Sequence, residues 1–382
     1  MAAGSHEPGT PLRALVVGSG MIGNVHRRAA LLNGARVVGV VEQNLAAAEA
    51  AARRWGVETF HDSLDGALAL DPDVVHLCTP NATHAPFVRT VLEAGVNVIC
   101  EKPLCLDAAE GEELVRLAEE RDVVAAVPYT YRYHPLVREL RQRRIAGELG
   151  SLHLIHGSYL QDWLLSPESS SWRVDPALGG PSRAFADIGS HWFDLVEWVA
   201  GERVAELVAD TGIAVAERPA EAGPTFSRGG GADVPRVRVQ TEDIANVLFR
   251  TESGVPGTFT ASQVSAGRKN RLWFELDGAS LSAAFDQENP ETVWLGGAGE
   301  SRVLARDPGS ASADAARTML TPAGHAQGWE ACFENFVADV YAAVRGVQPE
   351  GLPTFADGAR SLRLVEAVLE SARSRRWTAV AP

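Results

Sequence analysis

Lysine is nearly absent from this chain of 382 residues, with two lysines standing against 33 arginines. A lysine kept under such a bias is either left by chance at a strand end or marks a place where arginine is no substitute. An ammonium can shift its pKa and share a proton with a reacting oxygen, whereas a guanidinium stays charged at any working pH. Lys102, in Glu101-Lys102-Pro103, is therefore a candidate catalytic residue. Basic charge is scarce overall, and a formal net charge of −14 excludes a polynucleotide or an anionic membrane as an expected partner. Cysteine is also sparse. Cys78, Cys100, Cys105 and Cys332 lie on or beside apolar runs, without metal spacing or a secreted disulfide framework, which predicts reduced thiols in a cytoplasm. No histidine, cysteine or carboxylate cluster has ligand spacing, so no metal is expected. No apolar stretch reaches the roughly 18 to 20 residues that cross a bilayer. Residues 1–10 lack a basic segment followed by an apolar one, and read as a flexible tail.

What is present is enough for two cores: 46% of the residues are apolar and 382 residues exceed the size of one ordinary domain. Over 11–128, apolar runs at 12–17, 37–41, 74–78, 96–100 and 123–127 alternate with helical patterns at 22–33, 45–55 and 108–121. This predicts an α/β, doubly wound parallel sheet. A connecting helix falls within 129–150. From 151 to 382 the runs at 152–160, 204–209, 244–249, 257–264 and 272–276 alternate faces, and predict an α+β domain with a large open, mainly antiparallel sheet. Residues 217–236 and 296–322, rich in glycine and proline, are expected to be mobile loops. Helical periodicity returns at 326–345 and 358–374.

Directly after the first strand comes Gly18-Ser19-Gly20-Met21-Ile22-Gly23, opening a helix. Gly18 permits the tight turn, Gly20 lets the backbone approach a pyrophosphate, Gly23 allows close helix packing, and the helix start offers free amides to the anion. Glu42 ends the second strand, where a carboxylate accepts hydrogen bonds from ribose hydroxyls and repels a 2′-phosphate. The expected cofactor is NAD, with NADP less favoured. Arg53 and Arg54 stand too far along the next helix to alter this expectation.

The second pattern is Asp187-Ile188-Gly189-Ser190-His191. Four-residue spacing can put Asp187 and His191 on one helical face, where a carboxylate would orient an imidazole that takes a proton. By itself the pattern reads as readily as a capping acid and a packed ring. Nearby, Trp163 and Trp172 can cover the C–H face of a pyranose, while Gln161, Asp162 and Arg173 can pair with its hydroxyls. Both tryptophans can equally be core residues.

Taken together, Gly18 to His26, Thr79-Pro80-Asn81-Ala82-Thr83-His84, Glu101-Lys102-Pro103 and Asp187 to His191 resemble the glucose-fructose oxidoreductase and inositol dehydrogenase family, Gfo/Idh/MocA. Two departures stand out: Thr130 precedes Tyr131-Arg132 where relatives often have Asn, and Glu42 replaces the commoner Asp. The resemblance implies a Rossmann domain joined to a domain whose open sheet often makes the oligomer interface, hence a homodimer or homotetramer. It also implies that Lys102, Asp187 and His191 meet at the nicotinamide ring, with Met21, Ile22, Thr79, Pro80, Asn81, His84 and Glu101 along the cofactor. Tyr131 and His325 are expected at the substrate. The expected activity is NAD-dependent hydride transfer with a secondary hydroxyl of a sugar, glycoside or anhydrosugar, in the manner of levoglucosan-type dehydrogenases. An inositol or cyclitol dehydrogenase, a biosynthetic ketoreductase and an NAD-assisted redox glycoside lyase are the alternatives.

Overall fold

The computed structural model describes residues 10–220 and 234–382, so most of the expected tail and the centre of the expected 217–236 loop lie outside the described residues. The chain divides into two compact units, one of Met1–Thr130 with Phe333–Leu362 and one of Tyr131–Cys332 with Arg363–Pro382. Residues 333–362 thus belong with the first unit, although sequence order places them in the middle of 151–382. Packing groups segments by the apolar faces they bury, not by their order in the chain.

In the first unit, β1 (Arg13–Val17), β2 (Arg36–Val41), β3 (Phe60–His61), β4 (Val74–Leu77), β5 (Asn97–Cys100) and β6 (Ala125–Ala126) form one parallel sheet. Their spatial order is β3-β2-β1-β4-β5-β6. The strands are apolar on both faces because helices cover both; Leu15, Val16, Val75 and Ile99 are wholly buried. Between them run α1 (Met21–Leu32), α2 (Leu45–Trp55), α3 (Leu64–Leu68), α4 (His84–Glu93) and α5 (Ala108–Arg121). Local chemistry sets the ends of α2: Asn44 Oδ1 accepts from Ala47 N at 2.9 Å, and Gly56 at φ 67° takes the left-handed stop. Of the expected 123–127 strand, Ala125–Ala126 is regular strand, last in the sheet order, and Ala126 also bridges Thr354 on its other side.

The second unit begins with α6 (Pro135–Ile145) and β7 (Leu152–Leu160). After α7 (Pro176–Gly179), a π-helical turn over Phe185–Gly189 runs into α8 (Ser190–Ala200). Then come β8 (Val204–Gly212), β9 (Glu217–Pro219), β10 (Arg236–Arg238), β11 (Ile244–Thr251), β12 (Pro256–Ser262), β13 (Arg271–Gly278), β14 (Ser282–Asp286), β15 (Thr292–Gly296) and β16 (Ser301–Ala305). The chain closes with α9 (Ala313–Ala316), α10 (Trp329–Val344), α11 (Phe355–Ser374) and β17 (Thr378–Ala379). Nine strands make one sheet in the order β16-β15-β14-β13-β7-β12-β11-β8-β17, antiparallel except where β7 meets β12. Alternation decides its faces: Leu272, Phe274 and Leu276 point into the core, while Trp273 and Glu275 between them are half-buried on the other side. Trp192 and Phe193 of α8 fill that core against Phe249 and Phe259, with ring centroids 4.5 to 6.1 Å apart. Gly157 makes room for this contact, because a Cβ there would lie 2.6 Å from Trp192 Nε1.

Two expected loops carry structure. Glu217–Pro219 and Arg236–Arg238 pair as an antiparallel ribbon, and 296–322 contains β16 and α9. Cross-strand pairing and the Ser312 cap hold these polar segments, and neither leaves an apolar period to read.

Buried histidines give the fold a pH dependence. His134 is wholly inaccessible, its ring 4.7 Å from Phe285, and burial with help from Arg306 pulls its pKa from 6.5 to about 3 against the opposing pull of Glu291. The folded form thus refuses a proton that the unfolded chain binds. The stabilisation is complete above pH 6.5 and is lost as pH falls from there toward about 3. Over that window, His134→Phe should melt with a flatter pH dependence than the unsubstituted protein; parallel melting curves would remove His134 as the cause.

Candidate active site

In the first unit the glycine turn is built as its spacing predicts. Gly18 has φ 90°, and a Cβ there would meet Cys78 O at 2.7 Å; a Cβ on Gly23 would lie 2.0 Å from Gly18 O. Gly20 and Met21 are exposed, and a Cβ on Gly20 meets nothing within 4 Å. Gly20 caps α1 without a side-chain bond, which leaves the first amides directed at whatever anion occupies the turn. These features fit a dinucleotide. Glu42 Oε1 accepts from Ser19 N at 2.6 Å and Ser19 Oγ at 2.7 Å, so its carboxylate lies beside the turn.

Arg54 corrects the sequence expectation. Its Nη2 donates to Ser19 O at 2.9 Å and Oγ at 3.0 Å, because α2 packs back so that its last turn returns to the glycine loop. Arg53 instead pairs with Glu49 on the surface.

Around Lys102 the contacts are dense. Thr83 Oγ1 donates within the turn of Thr79 and Pro80, and half-buried Asn81 starts the same turn. His84 is buried between Pro103 O at 2.7 Å and Thr79 O at 2.9 Å. Burial lowers its pKa more than these carbonyls raise it. Lys102 is half-buried, and its backbone N donates to Glu101 Oε2 at 3.0 Å.

In the second unit His191 is half-buried on α8, its ring perpendicular to Tyr131 at 5.4 Å and 6.5 Å from Tyr159. Asn270 closes a ring of hydrogen bonds beside it. Asn270 Nδ2 donates to Tyr131 Oη at 2.9 Å, the two tyrosine hydroxyls are 2.7 Å apart, and Tyr159 Oη donates to Asn270 Oδ1 at 2.7 Å. Burial pushes the Tyr131 hydroxyl up to about 12, so the ring is neutral and rigid. Gln161 Nε2 donates to the same Asn270 oxygen at 3.0 Å, and Trp163 Nε1 to Gln161 Oε1 at 3.0 Å.

Asp187 lies in the π turn, a form of helix often found at functional sites. Gln263 Nε2 donates to it at 2.8 Å, and Arg173 Nε stands 3.6 Å away, stacked over Trp172 at 4.4 Å. Asp162 is taken up by the second lysine, Lys269, at 2.5 Å, and by Gly267 N at 3.1 Å. His325 is exposed, its Nδ1 3.3 Å from Ala323 O in its own loop.

Tyr159, on β7, is not among the residues that the sequence patterns single out. Gln263 and Asn270 sit at a strand end and in a loop, where no periodicity marks them, and reach the site only through sheet register. Register likewise brings His156, Glu275 and Asp277 together on adjacent strands, with ligand-type atoms within 4.8 Å, although their sequence spacing shows no metal pattern.

Comparison with known proteins shows the family to which both units correspond. Residues 12–129 match the family model described as the oxidoreductase family NAD-binding Rossmann fold, and residues 137–284 match the GFO/IDH/MocA C-terminal domain. The crystal structure of an oxidoreductase domain protein from Kribbella flavida is 31% identical, covers 98% of this chain and 100% of its own, and superposes with a TM-score of 0.87. Levoglucosan dehydrogenase of Pseudarthrobacter phenanthrenivorans is 29% identical over 358 residues, which span 89% of this chain and 88% of that protein. An inositol dehydrogenase homolog from Azotobacter vinelandii, complexed with NAD+, is 27% identical with a TM-score of 0.85, over 99% of this chain and 100% of its own.

Proposed function

The chain belongs to the Gfo/Idh/MocA oxidoreductase family, and on that footing we propose that it is an NAD-dependent dehydrogenase acting on a secondary hydroxyl of a sugar, glycoside or anhydrosugar. The observation that carries this reading is the surround of His191. Fixed hydroxyl and amide groups from Tyr131, Tyr159, Asn270 and Gln161 lie beside one imidazole, with Trp163 bonded to the end of the chain. Polar groups of fixed direction next to aromatic faces suit a ring that carries hydroxyls on its edge and C–H bonds on its faces.

NAD, held at Gly18, Gly20, Met21, Ile22, Gly23 and Glu42 and along Thr79, Pro80, Asn81, His84 and Glu101, would supply the hydride acceptor. Glu42 favours ribose hydroxyls over a 2′-phosphate, while Arg54 puts a cation close by, so NADP belongs in any assay. His191 takes the proton of the substrate hydroxyl. Lys102 hydrogen-bonds that oxygen and stabilises the charge that develops on it. Asp187, steadied by Gln263, holds positive charge favourable near His191. Gln161, Asp162, Trp163, Trp172, Arg173 and His325 complete the proposed substrate contacts. We place the protein in the cytoplasm on its four buried cysteines, none of which forms a disulfide. A homodimer or homotetramer through the open sheet is supported by the exposed Leu248, Trp294 and Val303 on its outer face.

The test is reduction of NAD or NADP by the purified protein over a panel of anhydrosugars, glucosides, free aldoses and inositols. Release of NADH with one sugar class is the expected result, and the same response to inositols alone would assign a cyclitol dehydrogenase. Silence with measurable NAD binding would sink net oxidation in favour of a redox-assisted lyase or the reductive direction. Within the active class, Lys102→Arg should lower kcat about 10- to 100-fold, because the charge stays while the donor is displaced. Near-normal turnover in that variant would remove Lys102 from the chemistry.

A further inference from the structure

Behind Lys102, within the first unit, four buried side chains make one unbroken line. Tyr341 Oη lies 2.9 Å from His76 Nε2, His76 Nδ1 lies 3.0 Å from His26 Nδ1, and His26 Nε2 lies 3.2 Å from Glu101 Oε1. His26 and His76 are wholly inaccessible, and Tyr341 is 1% exposed on α10. The rings pack edge to face with one another and with Phe333, so none can turn without opening a void. Two histidines and a tyrosine in a Rossmann core are costly unless every polar atom is matched.

One arrangement of protons matches them all. Burial raises the pKa of Glu101, but the His26 hydrogen bond, the charge of Lys102 and the Lys102 backbone N–H bring it below the usual carboxylate value, so both its oxygens accept. His26 then donates from Nε2, which leaves its Nδ1 as an acceptor. His76 donates to it from Nδ1, and so accepts from Tyr341 at Nε2. Burial holds His76 well below its usual value and therefore neutral. Were His26 instead protonated on both nitrogens, His76 would have to donate to Tyr341, whose hydroxyl proton would face no acceptor.

We propose that Tyr341, His76 and His26 form a one-way hydrogen-bond relay that locks the Glu101 carboxylate against the Lys102 main chain. His26 and His76 are thus positioning residues for the chemistry at Lys102. The mechanical link is Glu101 itself: Oε1 is held by His26 while Oε2 accepts from Lys102 N at 3.0 Å. Small displacements of a reacting group are expensive in rate, on the order of 10²-fold per ångström. The kinetic half of this inference rests on the proposed dehydrogenase activity; the polarity of the relay does not.

Nitrogen-15 NMR of the imidazoles in the unsubstituted, full-length protein reads the polarity directly. The expected spectrum shows neutral His26 protonated at Nε2 and neutral His76 protonated at Nδ1; the opposite tautomers, or a doubly protonated His26, overturn the relay. His76→Phe keeps an aromatic ring and removes the donor to His26. It should mix the His26 tautomers and lower kcat by about 3- to 10-fold, as loss of one buried hydrogen bond implies, with the KM for sugar and the Kd for NAD unchanged. Full kcat in this variant overturns the positioning role, as does a fall accompanied by equal weakening of both ligands. Failure to turn over any sugar or cyclitol removes the functional reading while the tautomers still decide the relay.

Discussion

His191→Ala lowers kcat by about 10²- to 10⁴-fold and leaves NAD binding nearly unchanged, the loss expected when a general base is removed from a proton transfer. The separation follows from where the residues lie. The glycine turn and Glu42 belong to the first unit, whereas His191 sits on α8 of the second, beside Tyr131 and Tyr159. Truncation leaves the Tyr131, Tyr159 and Asn270 ring intact, since its hydrogen bonds do not pass through His191. Substrate recognition should therefore survive better than turnover. Steady-state kinetics with a fluorescence titration of NAD checks the pair of values. A loss in kcat below about tenfold would show that another group takes the proton.

Asp243→Ala destabilises the protein by about 3 to 5 kcal/mol, the cost of leaving buried charge without its partner. Asp243 is inaccessible and is shared by two guanidinium groups, Arg183 and Arg218, which are buried as deeply. Its other oxygen accepts from Ala214 N at 2.8 Å and Val215 N at 3.0 Å. Burial raises the Asp243 pKa, yet the charge and hydrogen bond of Arg183, with Arg218, bring it below the usual value; the carboxylate is ionised in the fold. Alanine would strand both cations. The damage also reaches the site, because Arg183 Nη1 bonds Gln263 Oε1 at 3.3 Å, and Gln263 in turn donates to Asp187. Urea unfolding measures the stability change, and a shift under about 1 kcal/mol would show that the two arginines find other acceptors.

The parts of this site that sequence made legible are the short-range ones. Gly18 and Gly23 announce a turn because only a missing Cβ permits the contacts with Cys78 O and Gly18 O, and those contacts form within one strand-turn-helix unit. The 45–55 helix was readable to the residue, since Asn44 and Gly56 punctuate it locally. Arg54 was misjudged for the complementary reason. Distance along a helix says nothing about where packing returns its last turn. Likewise the four-residue spacing of Asp187 and His191 suggested an ordinary helical face, but Glu242, accepting from Ser182, Arg183 and Phe185, anchors the start of a π turn there.

By itself, then, the sequence determined the kinds of element, the parallel and open sheets, the dinucleotide turn and the candidate status of Lys102, Asp187 and His191. Each of these depends on periodicity, on backbone freedom or on side-chain chemistry within a few neighbours. The tertiary structure alone decided what those groups touch. Gln263 lies on Asp187, Asn270 between two tyrosines and His76 behind His26, because sheet register and helix packing bring together residues 76, 139 and 50 positions apart. Contacts at that range leave no period in the chain, since what selects them is the burial of every polar atom against a partner.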